Sequence, residues 1–365
     1  MTCAERLECI FKGDLVDQVP FVLKGWRVPQ CEAERELRND GMGILDSRPV
    51  YSVTSPNTDT ETRSFSEKGV AYQHTRIRTP IGDLTRLDRR VAEDQTEGTS
   101  WRIEMLFKGP EDYDALTFLY RDRRYTPRPS AFLKAREQLG GDAYFKTTAP
   151  GAAIHTLMYE VMGLETFSIE WAERRDCVLK LMDVITRSQE PLYDIVAQSP
   201  ADVVQCGGNY ASDVLGKDRM IAHVVPHWEA VADVLHANGK LLGSHLDANN
   251  AHWADVIGEA PLDWIEAFSP SPDTDMTVAD ARAAWPGKVL FINFPSAVHL
   301  SPPDVIDQTT QELLQDAAPG DRFIIGVTEN VPESCWRQSF RVILDTINAC
   351  GQLPIKPRET HRDAA

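Results

Sequence analysis

The chain has 365 residues, of which 42% are hydrophobic and 25% charged, and its formal net charge is -17. A surface this acidic repels phosphate backbones and anionic lipid, so neither nucleic acid nor a membrane is an expected partner. The seven cysteines are scattered with no CxxC pair, which excludes a small disulfide framework and makes the reducing cytoplasm the expected compartment.

The opening MTCAERLECIFKGD is amphipathic and charged, unlike a signal peptide. A helix is predicted over residues 3–12, then the strand VPFVLK at 19–24 and a helix over 31–40 that stops at Gly41. Residues 50–105 change texture. VYSVTS, GVAYQHTRIRT, IGDLTRLDRR and SWRIEMLF are β-rich and broken by turn residues, with TPIGD as a hairpin turn. This stretch reads as an antiparallel excursion over one end of the main domain.

From about residue 112 the pattern becomes an alternation of apolar strands and helices. The predicted strands are 143–148, 202–207, 240–245, 263–268, 288–294 and 322–327. The predicted helices are 151–162, 168–198, 216–237, 249–258, 277–285, 303–317 and 333–350. Such alternation implies a parallel sheet with crossover helices. Seven strands are counted, and one more would close a (β/α)8 TIM barrel, the preferred α/β fold over an open doubly wound sheet. The first strand is followed by no glycine-rich fingerprint, and no GxxxxGK[ST] occurs, which disfavours a nucleotide-binding open sheet. The whole chain, 1–365, is read as a single domain with 50–105 inserted in it, and the tail IKPRETHRDAA as frayed. A homodimer is the default assembly.

In a parallel barrel the chemistry gathers at the carboxyl ends of the strands. Those ends carry Lys24, Trp26 and Arg27, Lys146, Asn209 and Tyr210, His245 and Asp247, Glu266, Asn293, and Glu329. His245, Asp247, Glu266 and Glu329 form one nitrogen and three carboxylates, a donor set that could enclose a divalent ion, with zinc first and manganese or iron next. Each also has an ordinary reading. Asp247 could cap the following helix, His245 could be a core histidine, and Glu329 could pair with Arg337. Cys206 reads as a small buried apolar residue before it reads as a ligand or nucleophile. Arg27 can clasp a carboxylate or pair with Glu32 or Glu34. Trp26 and Tyr210 can wall a pocket or pack the barrel mouth.

In order, VPFVLKGWR, RTPIGDLT, CGGNY, GKLLGSHLD, LDWIEAFSPSP, KVLFINFP and GVTENVP resemble the uroporphyrinogen decarboxylase-like superfamily. The resemblance implies a (β/α)8 barrel and, by branch, either haem-pathway decarboxylation or cobamide-linked methyl transfer. Where the decarboxylase branch has RQAGRYLPEYR, this chain has LKGWRVPQCEAER, so it resembles the methyltransferases more closely. Their zinc is held by a His-x-Cys pair, a later Cys and often a Glu between. His245 matches the His, Asp247 stands at the first Cys, Glu266 matches the Glu, and Glu329 lies near the late Cys. The implied function is a metal-dependent methyltransferase or demethylase of a small methylated substrate. His245, Asp247 and Glu329 would be catalytic. Trp26, Arg27, Lys146, Asn209, Tyr210 and Asn293 would bind substrate. A corrinoid protein or tetrahydrofolate would carry the methyl group. The alternatives are a metal-independent decarboxylase and a non-catalytic barrel that binds a ligand or corrinoid.

Overall fold

The structure is a computed structural model and describes residues 1–90 and 100–356. The last nine residues of the tail read as frayed lie outside that range. Eight parallel strands close a barrel. They are β1 (Phe21–Leu23), β2 (Gly43–Ser47), β9 (Ala143–Ala149), β10 (Val203–Cys206), β11 (Leu241–His245), β12 (Trp264–Phe268), β13 (Val289–Asn293) and β14 (Phe323–Val327). Their order around the barrel is β1-β14-β13-β12-β11-β10-β9-β2, and β2 pairs back onto β1 through Val22 with Gly43 and Leu23 with Ile44. The predicted barrel is the observed fold.

β2, the strand missing from the count, has the sequence GILDS. Its apolar run is only Ile44 and Leu45, too short to announce a strand. The β-rich excursion is two sheets. β3 (Tyr51–Thr54) pairs with β8 (Arg124–Pro127), and β4 (Asp59–Glu67), β5 (Val70–Arg78), β6 (Asp83–Arg90) and β7 (Trp101–Glu104) form an antiparallel sheet. The TPIGD turn joins β5 to β6, closed by Thr79 N–H on the Gly82 carbonyl at 3.1 Å. β4 escaped prediction because DTETRSFSE is exposed along its whole length and carries no inside-outside alternation.

The helices deviate where the backbone is irregular. The predicted 168–198 helix is two, Leu164–Glu173 and Arg175–Ala197, broken at Arg174. The predicted 151–162 and 216–237 helices each contain a π-helical stretch, Leu157–Val161 and Met220–Val224. Such widened turns shift the side-chain register and recur at functional sites. None of the helices among the described residues is long and apolar enough to cross a membrane.

Two layers of inward-facing side chains fill the barrel. The lower layer is apolar and includes Val22, Leu45, Val203, Trp264, Phe291 and Ile324. The helix Cys3–Lys12 plugs this end with Leu7, Ile10 and Phe11, and the Phe11 ring meets Trp264 edge-on at 5.6 Å. Room for the Trp264 indole comes from Gly243, where a Cβ would stand 2.3 Å from it. Strand side chains repeat with period two. Two residues beyond Val22, Val203, Trp264 and Phe291 come Lys24, Gln205, Glu266 and Asn293, so the layer above the apolar floor is polar. That layer sits at the carboxyl ends of the strands.

Candidate active site

Glu266 is the hub of the polar layer and is fully buried. One carboxylate oxygen, Oε1, lies 3.3 Å from Lys146 Nζ and 3.4 Å from Lys24 Nζ. The other, Oε2, accepts from Gln205 Nε2 at 2.9 Å and from His245 Nδ1 in a short contact. Lys146 also donates to Gln205 Oε1. The far ring nitrogen of His245, Nε2, lies 3.0 Å from Asp247 Oδ2. The imidazole is therefore strung between a buried carboxylate of the polar layer and a second, partly exposed one at the mouth. A register shift in β12 between Ile265 and Phe268, with Ala267 at φ 58°, bends the strand immediately past Glu266. A bulge re-aims a side chain at some local conformational cost, and bulges concentrate at such sites.

The electrostatics follow from that wiring. Burial alone would discharge His245, but its bonds to Asp247 and Glu266 outweigh it and raise the imidazole from 6.5 to about 9. Burial opposes the Glu266 charge too, yet Lys146, His245 and Lys24 together hold its carboxyl well below the usual range. Asp247 is likewise lowered, burial being overcome by His245. Lys146 is lowered by burial and by Lys24, with Glu266 pulling the other way. Because the folded value of His245 lies above its ordinary one, the stability it contributes is complete below pH 6.5 and is lost as pH rises through about 9. The two carboxylates, whose values are depressed, contribute the opposite dependence at acid pH. At neutral pH His245 is an imidazolium, the form of a general acid.

Two further groups, His155 and Tyr159, stand close to the hub. His155 stacks on Tyr159 at 4.7 Å, meets Tyr210 edge-on at 5.5 Å, and accepts the Asn209 backbone N–H at 2.8 Å. Burial, then the nearby charge of His245, lowers its pKa to about 4, so it stays neutral beside an imidazolium. Tyr159 is raised by burial and by the charge of Asp247. Sequence reasoning missed His155 and Gln205 as partners of the site, and had Lys24 only as one of the strand-end groups. The His155 and Tyr159 pair, spaced one turn apart, was the available signal.

The other predicted residues divide. Lys146 belongs to the hub. Asn293 accepts from Thr328 N at 2.8 Å and ties the ends of β13 and β14 together. Tyr210 spends its hydroxyl on the Gly207 carbonyl and the Ala152 N–H, both at 3.2 Å, while its ring packs on Trp228. Arg27 lies over the exposed Trp26 ring at 3.9 Å, donates to Asn330, and leaves its buried Nε without a partner. Glu329 makes no hydrogen bond or ion pair with His245, Asp247 or Glu266 among the described residues, and its charge acts on Arg27. Cys206 is buried outside the hub, 3.8 Å from His227 Nε2, and burial lifts its thiol to about 12.

A metal needs donors that converge on one point. The nitrogens of an imidazole point away from each other, and here each faces a different carboxylate. Asp247 and Glu266 thus lie on opposite sides of the ring and share no point with it. Among the described residues, no three His, Cys, Asp or Glu side chains are placed to hold an ion. Lys24 and Lys146 already supply the positive charge that balances Glu266. In this arrangement the residues do not fit a shared zinc.

No protein-family model matches the chain, and no curated protein sequence does. Among solved structures it is similar to a methyltransferase from Methanosarcina mazei, at 12% identity and a TM-score of 0.57, covering 96% of this chain and 99% of that one. That likeness shows the fold. Weaker likenesses reach the pneumococcal virulence factor StrH (8% identity, TM-score 0.36, 92% and 84% covered) and MenC from Desulfotalea psychrophila (9%, 0.26, 84% and 92%). Likenesses that distant carry no argument.

Proposed function

We propose that the chain is a small-molecule methyltransferase that works as a demethylase, with His245 as the general acid. The observation that carries this is the two-sided anchoring of His245, with Nδ1 on buried Glu266 and Nε2 turned to partly exposed Asp247 at the mouth. A methyl group on oxygen or nitrogen is a poor candidate for transfer until its leaving atom is protonated. In this reading the nucleophile bonds to the methyl carbon, the carbon–heteroatom bond breaks, and its electron pair stays on the heteroatom. His245 gives that atom its Nε2 proton, and Glu266 holds the ring in place throughout. A corrinoid protein or tetrahydrofolate, as co-substrate, supplies the nucleophile. Methyl as the group transferred is supported by the superfamily resemblance and by the fold shared with the M. mazei methyltransferase. Protonation of a leaving group is supported by the hub itself.

A second reading is favoured by one observation: Lys24 and Lys146 flank Glu266, whose charge also acts on Arg27, so three cations gather about one carboxylate. That suits a carboxylated substrate and a decarboxylation in which His245 protonates the carbanion left behind. One assay separates the two. The protein is incubated, with and without chelator, with methoxylated and methylated-amine compounds plus cob(I)alamin or tetrahydrofolate, and in parallel with carboxylated analogues. Demethylated product at a rate unchanged by chelator is expected. Release of carbon dioxide without methyl transfer would replace this reading with the second. A rate restored only by added zinc would return the metal-dependent form.

A further inference from the structure

A cavity of about 490 Å³ lies apart from the hub, none of whose residues line it. Its walls come from the helices Leu164–Glu173 and Arg175–Ala197, the π-helical stretch after β10, and the turn after β11. Its centre is the Trp171 indole. Arg175 lies over that ring at 4.9 Å and Arg219 at 5.9 Å, and the His223 ring meets it edge-on at 5.5 Å. His252 completes the wall. Lys217 also lines it but is neutralised by Asp255 at 2.7 Å.

The charge balance here is unlike the rest of the molecule. In a chain of net charge -17, two guanidinium groups share one indole, and among the described residues neither has a carboxylate within ion-pair distance. Arg219 is held in place by donating to the Leu215 and Val214 carbonyls, so its cation is fixed toward the cavity wall. The Arg175 side chain makes no hydrogen bond or ion pair among the described residues, and the residue is exposed. Like charges brought together without a counter-charge are costly, and an oxyanion bound among them removes the cost while gaining charge-assisted hydrogen bonds. Asp218, the carboxylate on the lining, is exposed.

We propose that this cavity binds the phosphate group of a small molecule, with Arg175 and Arg219 as the charged donors and His223 and His252 as hydrogen-bonding partners. The volume exceeds what a bare phosphate needs, which points to a phosphate ester. A concave site of this size also suits a small molecule better than the acidic face of a protein.

Isothermal titration of the full chain with inorganic phosphate, ribose 5-phosphate and acetate tests this. Saturable binding of both phosphates, weakening with salt, is expected, with ribose 5-phosphate the tighter and acetate much the weakest. Phosphate binding tighter than the ester would assign the site to free phosphate and still support it. Arg175→Gln should weaken phosphate binding by about tenfold or more, and His252→Gln should weaken it less. His245→Gln should leave it unchanged, which keeps this result separate from the fate of the hub. No saturable binding of either phosphate overturns the proposal. So does equal affinity in Arg175→Gln and the wild type with the fold intact.

Discussion

His245→Gln is expected to lower kcat about a hundredfold to ten-thousandfold, the range for losing a positioned general acid. Glutamine keeps a hydrogen-bonding group near Glu266 and roughly fills the space, so the barrel should stay folded. It cannot deliver a proton. Because the proton moves only as the bond to the leaving atom breaks, KM should stay within about threefold of the wild type. Asp247→Asn should fall between. It removes one of the two charges that hold the imidazolium but leaves Nδ1 on Glu266. Steady-state kinetics of the three proteins, with circular dichroism as the check on folding, decide it. A large rise in KM with kcat unchanged would make His245 a binding group instead.

The largest stability effect is expected at Glu266. Glu266→Gln leaves Lys146, itself buried, and Lys24, mostly buried, without the carboxylate that balances both at 3.3 and 3.4 Å. Breaking a buried pair by removing one partner costs about 3–5 kcal/mol, because a charge is left in a medium that does not solvate it. The barrel floor supplies no substitute, since the layer beneath is Val22, Val203, Trp264, Phe291 and Ile324. Urea denaturation should show a midpoint well below that of the wild type. Adding Lys146→Met should recover at least about 1 kcal/mol of the loss, because the orphaned charge goes with it. If the double variant is no more stable than Glu266→Gln alone, the charge balance assigned to the hub is wrong.

Much of this was legible in the sequence, for reasons that show where legibility stops. The barrel came from the alternation of strands and helices, a long-range property that survives small errors in each element. β2 was lost because two apolar residues, Ile44 and Leu45, do not make a pattern. β4 was lost because an all-exposed strand has none. His245, Asp247 and Glu266 were legible because the barrel rule puts strand ends together. The same rule drew in Glu329, which lies past the end of β14 but acts on Arg27, since strand position does not fix where a side chain points. Lys24 was legible as a strand-end group, but its place beside Glu266, like that of Gln205, needed the inward layer to be known. Each stands two residues above an apolar inward-facing residue, a relation that acquires meaning only when the barrel closes. The opposed placement of the two carboxylates across the His245 ring is a matter of ångströms, and no spacing in the sequence encodes it.

The most direct measurement is the pH dependence of kcat/KM for the wild type between pH 6 and 10, once a turned-over substrate is in hand. With His245 as a general acid held at about 9, the rate should be flat through neutrality and fall as pH passes that value. A rate that instead rises between pH 6 and 9 would mean that the group must lose its proton to act, and would contradict the account.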